Sequence, residues 1–285
     1  MNAYIVGCAK NCGPHIAPVF ENIAKIATFF DDVRIVIALG QSEDDTLFAL
    51  NLMRAKYPHL SITFIYNPDG EKMPIRPQRI AASRNTLLTH IRNTRDDGGK
   101  KWTHMVMLDM DNVSSSPIDT EVFRITLRQD AEWDAVSFNS PIYYDIWALS
   151  YKPFTVSCWN WGMHSKSVVH FMMEDIKARL KSLKSGELFE CYSAFNGLAI
   201  YKLDKFIDCT YNHITAPLDK LDSDDVEYSV GFFRHIFNDA RTNYQRPFYD
   251  QDCEHRAFHE EARIKHGARI RITPKILFPQ MKIPE

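Results

Sequence analysis

The stretch MVMLDMDNVS (105–114) sets an apolar run directly against two carboxylates, Asp109 and Asp111, spaced by one residue. The run predicts a strand buried on both faces, and the switch to Asp-Met-Asp-Asn predicts that the chain leaves a sheet there. Such a strand end fits a polar turn, a metal site or a phosphorylated nucleophile. Two carboxylates abutting a core repel each other unless something positive joins them, which favours a functional role.

Upstream, strand and helix signals alternate. Tyr4–Cys8 is short and apolar. Residues 17–30 place Val19, Ile23, Ile26 and Phe30 at helical spacing, and RIVIAL (34–39) is an uninterrupted apolar run. A helix is expected at about 45–57, a third strand at ITFIY (62–66), a Pro-rich linker at MPIRPQ, and a helix at about 78–93. The order β-α-β-α-β predicts an α/β fold with a mostly parallel central sheet flanked by helices. In such sheets ligands collect beyond the carboxyl ends of the strands, where Asp109 and Asp111 fall. Beyond Asp134 the chain turns aromatic, with SPIYYDIWAL and SCWNWGMH. A basic amphipathic helix at about 165–184, the strand GLAIY, a helix at 225–240 and a final strand in ARIRITPKIL follow. The whole of 1–285 reads as one domain, with a nucleotide-style front (1–134) and an aromatic back (135–285).

Composition narrows the partners. A net charge of −2 over 285 residues gives no electrostatic footprint for nucleic acid or an anionic membrane. Eighteen apolar residues never run together, and the N-terminus lacks a signal-like pattern, so a cytoplasmic protein without a transmembrane segment is expected. Six scattered cysteines, without paired zinc-site spacing, read as reduced thiols.

Three further patterns carry chemistry. In RIAASRNTLLTHIR (79–92), Ile80, Arg84, Leu87, Leu88 and Ile91 form one helical stripe, so a guanidinium sits on an apolar face. Its partner is either a carboxylate of the fold or a phosphate, which arginine binds bidentately. In DCEHRAFH (252–259), His255 and His259 share a helical face, but the H-E-x-x-H order of zinc proteases is absent. The aromatic residues Tyr143, Tyr144, Trp147, Trp159 and Trp161 suit either packing or a sugar-stacking surface.

The helix segment RIAASRNTLL followed about twenty residues later by a strand ending Asp-Met-Asp resembles the GT-A glycosyltransferases of the fungal mannan and capsule mannosyltransferase type. SEDDT (42–46) resembles their S-x-D-x-T segment, with Asp44 as its acid. SAFNGLAIY and CEHRAFH resemble segments of related enzymes, including soluble ones encoded by large algal viruses. The resemblance implies a glycosyltransferase with a UDP- or GDP-sugar donor, Mn²⁺ (or Mg²⁺) and a glycan acceptor. It implies metal contacts from Asp109, Asp111 and His255, with Asp109 also touching sugar or ribose. Ala9, Lys10 and Asn11 would line the nucleoside pocket, and Arg79 and Arg84 would stand near the diphosphate or the acids. Tyr144, Asp145, Trp147, Trp161, Asn196 and Gly197 would face the acceptor. An inverting enzyme needs a carboxylate base, with Glu254 preferred over Asp252 and Asp145. A membrane anchor like that of the Golgi relatives is not expected, which sets a Golgi location in question.

Two rivals stand beside this reading. VMLDMDNV also resembles the first motif of haloacid-dehalogenase-type phosphatases, with Asp109 as nucleophile, Asp111 as acid/base and Asp224 and Asp225 completing a Mg²⁺ site. The two β-α units ahead of the motif and the missing Gly-Thr after it count against that assignment. A carbohydrate-binding protein that has lost catalysis is the non-enzymatic alternative.

Overall fold

The computed structural model describes residues 1–67, 72–158, 166–216, 218–237 and 251–281. Its front half follows the expected alternation: β1 (Asn2–Ala9), α1 (Gly13–Ala27), β2 (Asp32–Leu39), α2 (Thr46–Lys56), β3 (Ser61–Tyr66), α3 (Arg76–Thr94) and β4 (Trp102–Asp109). The Pro-rich segment does more than link elements. Pro77 starts α3, where a missing N–H costs nothing because the first helical turn has no acceptor for it.

The back half contributes α4 (Thr120–Arg128), β5 (Ala135–Asn139), α5 (Lys166–Ser182), β6 (Phe189–Cys191), β7 (Leu198–Lys202), α6 (Leu203–Phe206), α7 (Ser223–Phe237), α8 (Glu254–His266) and β8 (Ile270–Ile276). Four of these, α4, β5, β6 and α6, are absent from the sequence reading. Helix α4 is capped by Asp119, whose carboxylate accepts from the Glu121 and Val122 N–H groups at 3.0 and 3.1 Å.

All eight strands form one open sheet in the order β3-β2-β1-β4-β7-β5-β8-β6. The first four are mutually parallel. β5 and β8 are also parallel, so the sheet is mostly parallel as expected, while β7 runs antiparallel to both β4 and β5, and β6 antiparallel to β8. The change of character at Asp134 therefore does not end the sheet. Asp134 N donates to Arg269 O at 2.9 Å, and its carboxylate holds the Arg269 backbone and guanidinium, which seats β5 beside β8.

Strand alternation sorts the core into two layers. Tyr4, Val6, Val36, Met105 and Met107 face α3, α5 and α8, in one cluster with Leu87, Leu88, Ile176 and Phe258. Ala3, Ile5, Ile35, Ile37, Val106 and Leu108 face the other way, against Ile16, Val19, Phe20 and Ile23 of α1, Leu50 of α2 and Phe123 of α4. Both faces are covered, which is why β1, β2 and β4 read as continuous apolar runs.

The start of β7 is locked to the end of β4. Gly197 has φ 89° and its carbonyl accepts the Asp109 N–H at 2.9 Å. A Cβ there would lie 2.5 Å from Val113 Cγ1 and 3.1 Å from the Tyr144 hydroxyl. Gly197→Ala is expected to lower stability by about 1–3 kcal/mol, read as a shift of the urea midpoint with an unchanged slope.

Candidate active site

The carboxyl ends of β1, β2 and β4 open into a cleft of about 460 Å³ that also borders α3, the 144–147 loop and the first residues of α8. Asp109 is the last residue of β4, and its Oδ2 accepts from the Tyr144 hydroxyl at 3.3 Å. Asp111, the next polar residue, caps the short 3-10 turn Asn112–Ser114 by accepting the Val113 N–H at 3.1 Å. Met110 between them is buried, so the two carboxylates border the cleft while the intervening side chain anchors the loop.

Arg84 organises the floor. The helical stripe read from the sequence buries it, leaving 6 % of its side chain exposed. Its Nη1 meets both Glu254 Oε1 and His255 Nε2, and its Nη2 lies 3.4 Å from Asp109 Oδ1. The guanidinium also rests over Phe195 and Tyr211, at 4.9 and 5.6 Å from their ring centres. Of the two kinds of partner open to Arg84, carboxylates meet its Nη1 and Nη2, while its Nε is buried without a hydrogen-bond partner and the residue lines the cleft.

His255 stacks on Phe195 with ring centres 3.9 Å apart. Burial, and then the nearby Arg84 charge, push its pKa well below the usual histidine range, so the ring is neutral. With Nε2 accepting from Arg84, the proton sits on Nδ1, a buried atom without a hydrogen-bond partner. His259 does share the face, with ring centres 5.7 Å apart, but Ser193 and Tyr201 hold it and burial lowers it to about 3. His255 thus stands with Arg84 and Glu254, and it does not join Asp109 and Asp111 in one compact ligand cluster. Among the described residues, the three His, Cys, Asp or Glu donors within 4.8 Å of one another are Asp208, Cys209 and His266.

The electrostatics of the carboxylates suit a bound cation. Burial raises the Asp109 carboxyl far above the usual range and the Asp111 charge raises it further, against the opposing pull of Arg84. Paired hard oxygen donors fit Mn²⁺ or Mg²⁺, which bind through one or two carboxylates. Lys10, Arg76 and Arg79 line the same cleft. Arg79 is steadied by the Met73 and Pro74 carbonyls, at 2.8 and 3.1 Å. The cleft is thus lined by both carboxylates and basic side chains.

Ala9, Lys10 and Asn11 line the cleft as expected. Asn11 adopts φ 49°, and it is held there by Ser42 Oγ on its N–H (3.0 Å) and by the Glu43 N–H on its Oδ1 (2.8 Å). Asp44 does not border the cleft. Its carboxylate accepts the Gly13 and Thr46 N–H groups at 2.9 and 3.0 Å, so SEDDT clamps the β1–α1 turn from behind.

Tyr144, Asp145 and Trp147 also border the cleft. Asn196 and Gly197 sit beneath them: Asn196 N donates to Asp145 Oδ2 at 3.2 Å, and its amide nitrogen bonds Phe138 O and Ser140 Oγ. Trp159 and Trp161 lie outside the described residues. Asp252 is consumed by Ser157, Cys253 N and Arg256, away from the cleft lining. Asp224 and Asp225 open α7, where Asp225 faces Lys152 at 3.8 Å, and neither lines the cleft with Asp109. The four-acid site of the phosphatase reading is therefore not assembled. Phe195, Tyr211, Arg76 and Cys8 were not foreseen. Phe195 lay inside a quoted motif, but its stacking partner is sixty residues away in the chain.

The sequence matches no protein-family model, and no curated protein matches it. Solved structures with a similar chain path include the mannosyltransferase PcManGT from Pyrobaculum calidifontis in complex with GDP-Man and Mn²⁺ (14% identity, 72% of this chain and 45% of that one, TM-score 0.44). S. aureus TarS 1–349 in complex with UDP-GlcNAc is similar over 100% of this chain and 60% of its own (13% identity, TM-score 0.48). Glucosyl-3-phosphoglycerate synthase from Mycobacterium tuberculosis, with Mn²⁺, UDP and glucosyl-3-phosphoglycerate, is similar over 72% and 58% (11% identity, TM-score 0.37). The chain spans about half the length of these proteins, 45–60%.

The Arg84–Glu254 pair makes a testable demand. Arg84→Met leaves a buried carboxylate unpaired and should cost about 3–5 kcal/mol in denaturant unfolding. Adding Glu254→Gln should recover part of that loss, giving a non-additive double-mutant cycle.

Proposed function

We propose that this chain is a metal-dependent glycosyltransferase of GT-A type, moving a sugar from a UDP- or GDP-sugar to a hydroxyl of a glycan acceptor. The observation that carries the reading is the cleft itself: Asp109 and Asp111 at the carboxyl end of β4 share the lining of a space of about 460 Å³ with Lys10, Arg76 and Arg79. A nucleoside diphosphate joined to a divalent cation complements both kinds of charge. In this reading residues 1–134 form the nucleotide-sugar half and 135–285 the acceptor half of one domain.

Asp109 and Asp111 would hold Mn²⁺ or Mg²⁺, which supplies Lewis-acid stabilisation of the diphosphate leaving group. Ala9, Lys10 and Asn11 border the nucleoside, their turn fixed by Ser42–Thr46. Lys10, Arg76 and Arg79 neutralise the charge that develops on the diphosphate as the glycosidic bond breaks. Arg84 acts on Asp109: its bond to Oδ1 orients the carboxylate and favours the ionised form that a metal needs. Glu254 and His255 hold Arg84 in place.

Glu254 is consequently a poor base, because accepting a proton would break its ion pair. Asp145 is better suited. It borders the cleft, its oxygens accept backbone N–H groups of Ala148 and Asn196 at 3.3 and 3.2 Å, and burial raises its pKa toward that of an effective proton acceptor. Tyr144 and Trp147 flank it and offer ring faces to a sugar.

Thermal shift against a panel of UDP- and GDP-sugars, with and without Mn²⁺, tests the donor assignment. Ligand at a hundred times its Kd stabilises by about 2.7 kcal/mol, so a clear metal-dependent rise in Tm is expected for at least one donor and should vanish in Asp111→Ala. No shift across the panel would overturn the reading. Asp145→Asn should keep that shift and lose about 10²–10⁴-fold in kcat for transfer. A variant with unchanged kcat would remove Asp145 from the proton-transfer role.

A further inference from the structure

On the far end of α8 from the cleft, three side chains with no part in the proposed reaction converge. Asp208 and Cys209 follow α6, and His266 ends α8. One ligand atom from each lies within 4.8 Å of the other two. His266 Nε2 is 2.7 Å from Asp208 Oδ1, and the Cys209 thiol is turned toward the same carboxylate at 3.7 Å. The distance from Glu254, at the cleft, to His266 is about 18 Å along the helix at 1.5 Å per residue.

We propose that Asp208, Cys209 and His266 form a second divalent-cation site, of the Cys/His/carboxylate type that takes Zn²⁺. Thiolate sulfur, imidazole nitrogen and carboxylate oxygen are the three ligand classes zinc accepts, and three protein ligands leave its fourth position to water. The thiolate and imidazole disfavour the Mg²⁺ or Mn²⁺ expected at Asp109 and Asp111, so the two sites differ in the metal they select.

The backbone carrying the ligands is already fixed. Cys209 N donates to Phe206 O at 3.1 Å, and Thr210 N to Glu261 Oε2 at 2.7 Å. Gly267, at φ 60°, closes α8 with its N–H on Arg263 O at 3.0 Å, which sets His266 at the helix terminus. The carbonyl end of a helix is the electronegative end and favours a cation nearby. The neighbouring lysines are engaged: Lys265 with Glu261 and the Asp208 carbonyl, Lys205 with the His266 carbonyl.

Binding replaces the His266–Asp208 contact with bonds from both residues to the metal. As these bonds form, the Cys209 thiol and the His266 Nε2–H that faces Asp208 each give up their proton to solvent, and the metal keeps its oxidation state. The ion then ties the end of α8 to the turn after α6, independently of any donor in the cleft.

Co²⁺ added to the full-length Asp111→Ala variant tests this without interference from the cleft. The expected result is one Co²⁺ per chain, with a thiolate-to-cobalt charge-transfer band and visible bands of tetrahedral intensity, displaced by Zn²⁺. Cys209→Ser in that background should abolish the charge-transfer band, and His266→Gln should weaken binding at least tenfold, on the order of a lost supporting ligand. Circular dichroism identifies a misfolded variant, and the His266→Gln titration then decides. Absence of the band in the parent, or its persistence after Cys209→Ser through another of the cysteines, would overturn the site. The His266–Asp208 contact would then be an ion pair alone.

Discussion

A single buried guanidinium joins three elements that are far apart in the chain. Arg84 of α3 reaches Glu254 and His255 of α8 and Asp109 of β4, and 170 residues separate it from Glu254. A charge this deep is tolerated because two carboxylates and two aromatic faces surround it. The consequence is directional: any packing that separates α3 from α8 strands both charges, so the helices are held in the one arrangement that also positions Asp109. Such pairs contribute specificity of arrangement more readily than net stability.

The second constraint comes from β7. Inserting an antiparallel strand beside β4 lets the Gly197 carbonyl take the Asp109 N–H and places Asn196 under Asp145. Asp109 and Asp145 at the cleft are therefore supported from behind by one turn. That turn runs through left-handed backbone at Asn196 and Gly197, the conformation glycine and asparagine accept at least cost. The Asp109–Asp145 part of the cleft is rigid for a local reason, and Lys10 of the β1–α1 turn and Arg76 and Arg79 of α3 line the same cleft.

Much of this was legible in the residues. The front β-α-β order, the exit of β4 at Asp109, the apolar stripe carrying Arg84 and the helical face shared by His255 and His259 all follow from period and spacing. The shorter back-half elements did not announce themselves. AVSFN and FEC are too short to show alternation, and TEVFRITLR carries β-branched residues that weaken a helix signal. The functional assignments shifted for a different reason. Arg84 read as a phosphate ligand or an ion-pair partner with equal ease, and Glu254 read as a base, because spacing along a chain says nothing about which charges meet across it.

Local chemistry fixed the period-two and helical patterns, the capping residues and the place where two carboxylates leave a buried strand, since each depends on neighbours within a few positions. Long-range packing chose the partners: Glu254 for Arg84, Phe195 for His255, backbone amides for Asp145, and Asp208 with Cys209 for His266. Burial and field at each group depend on atoms brought from remote segments. The same Asp-Met-Asp is thus a turn signal as a string and, with α3, α8 and β7 closed around it, an acidic wall suited to a cation.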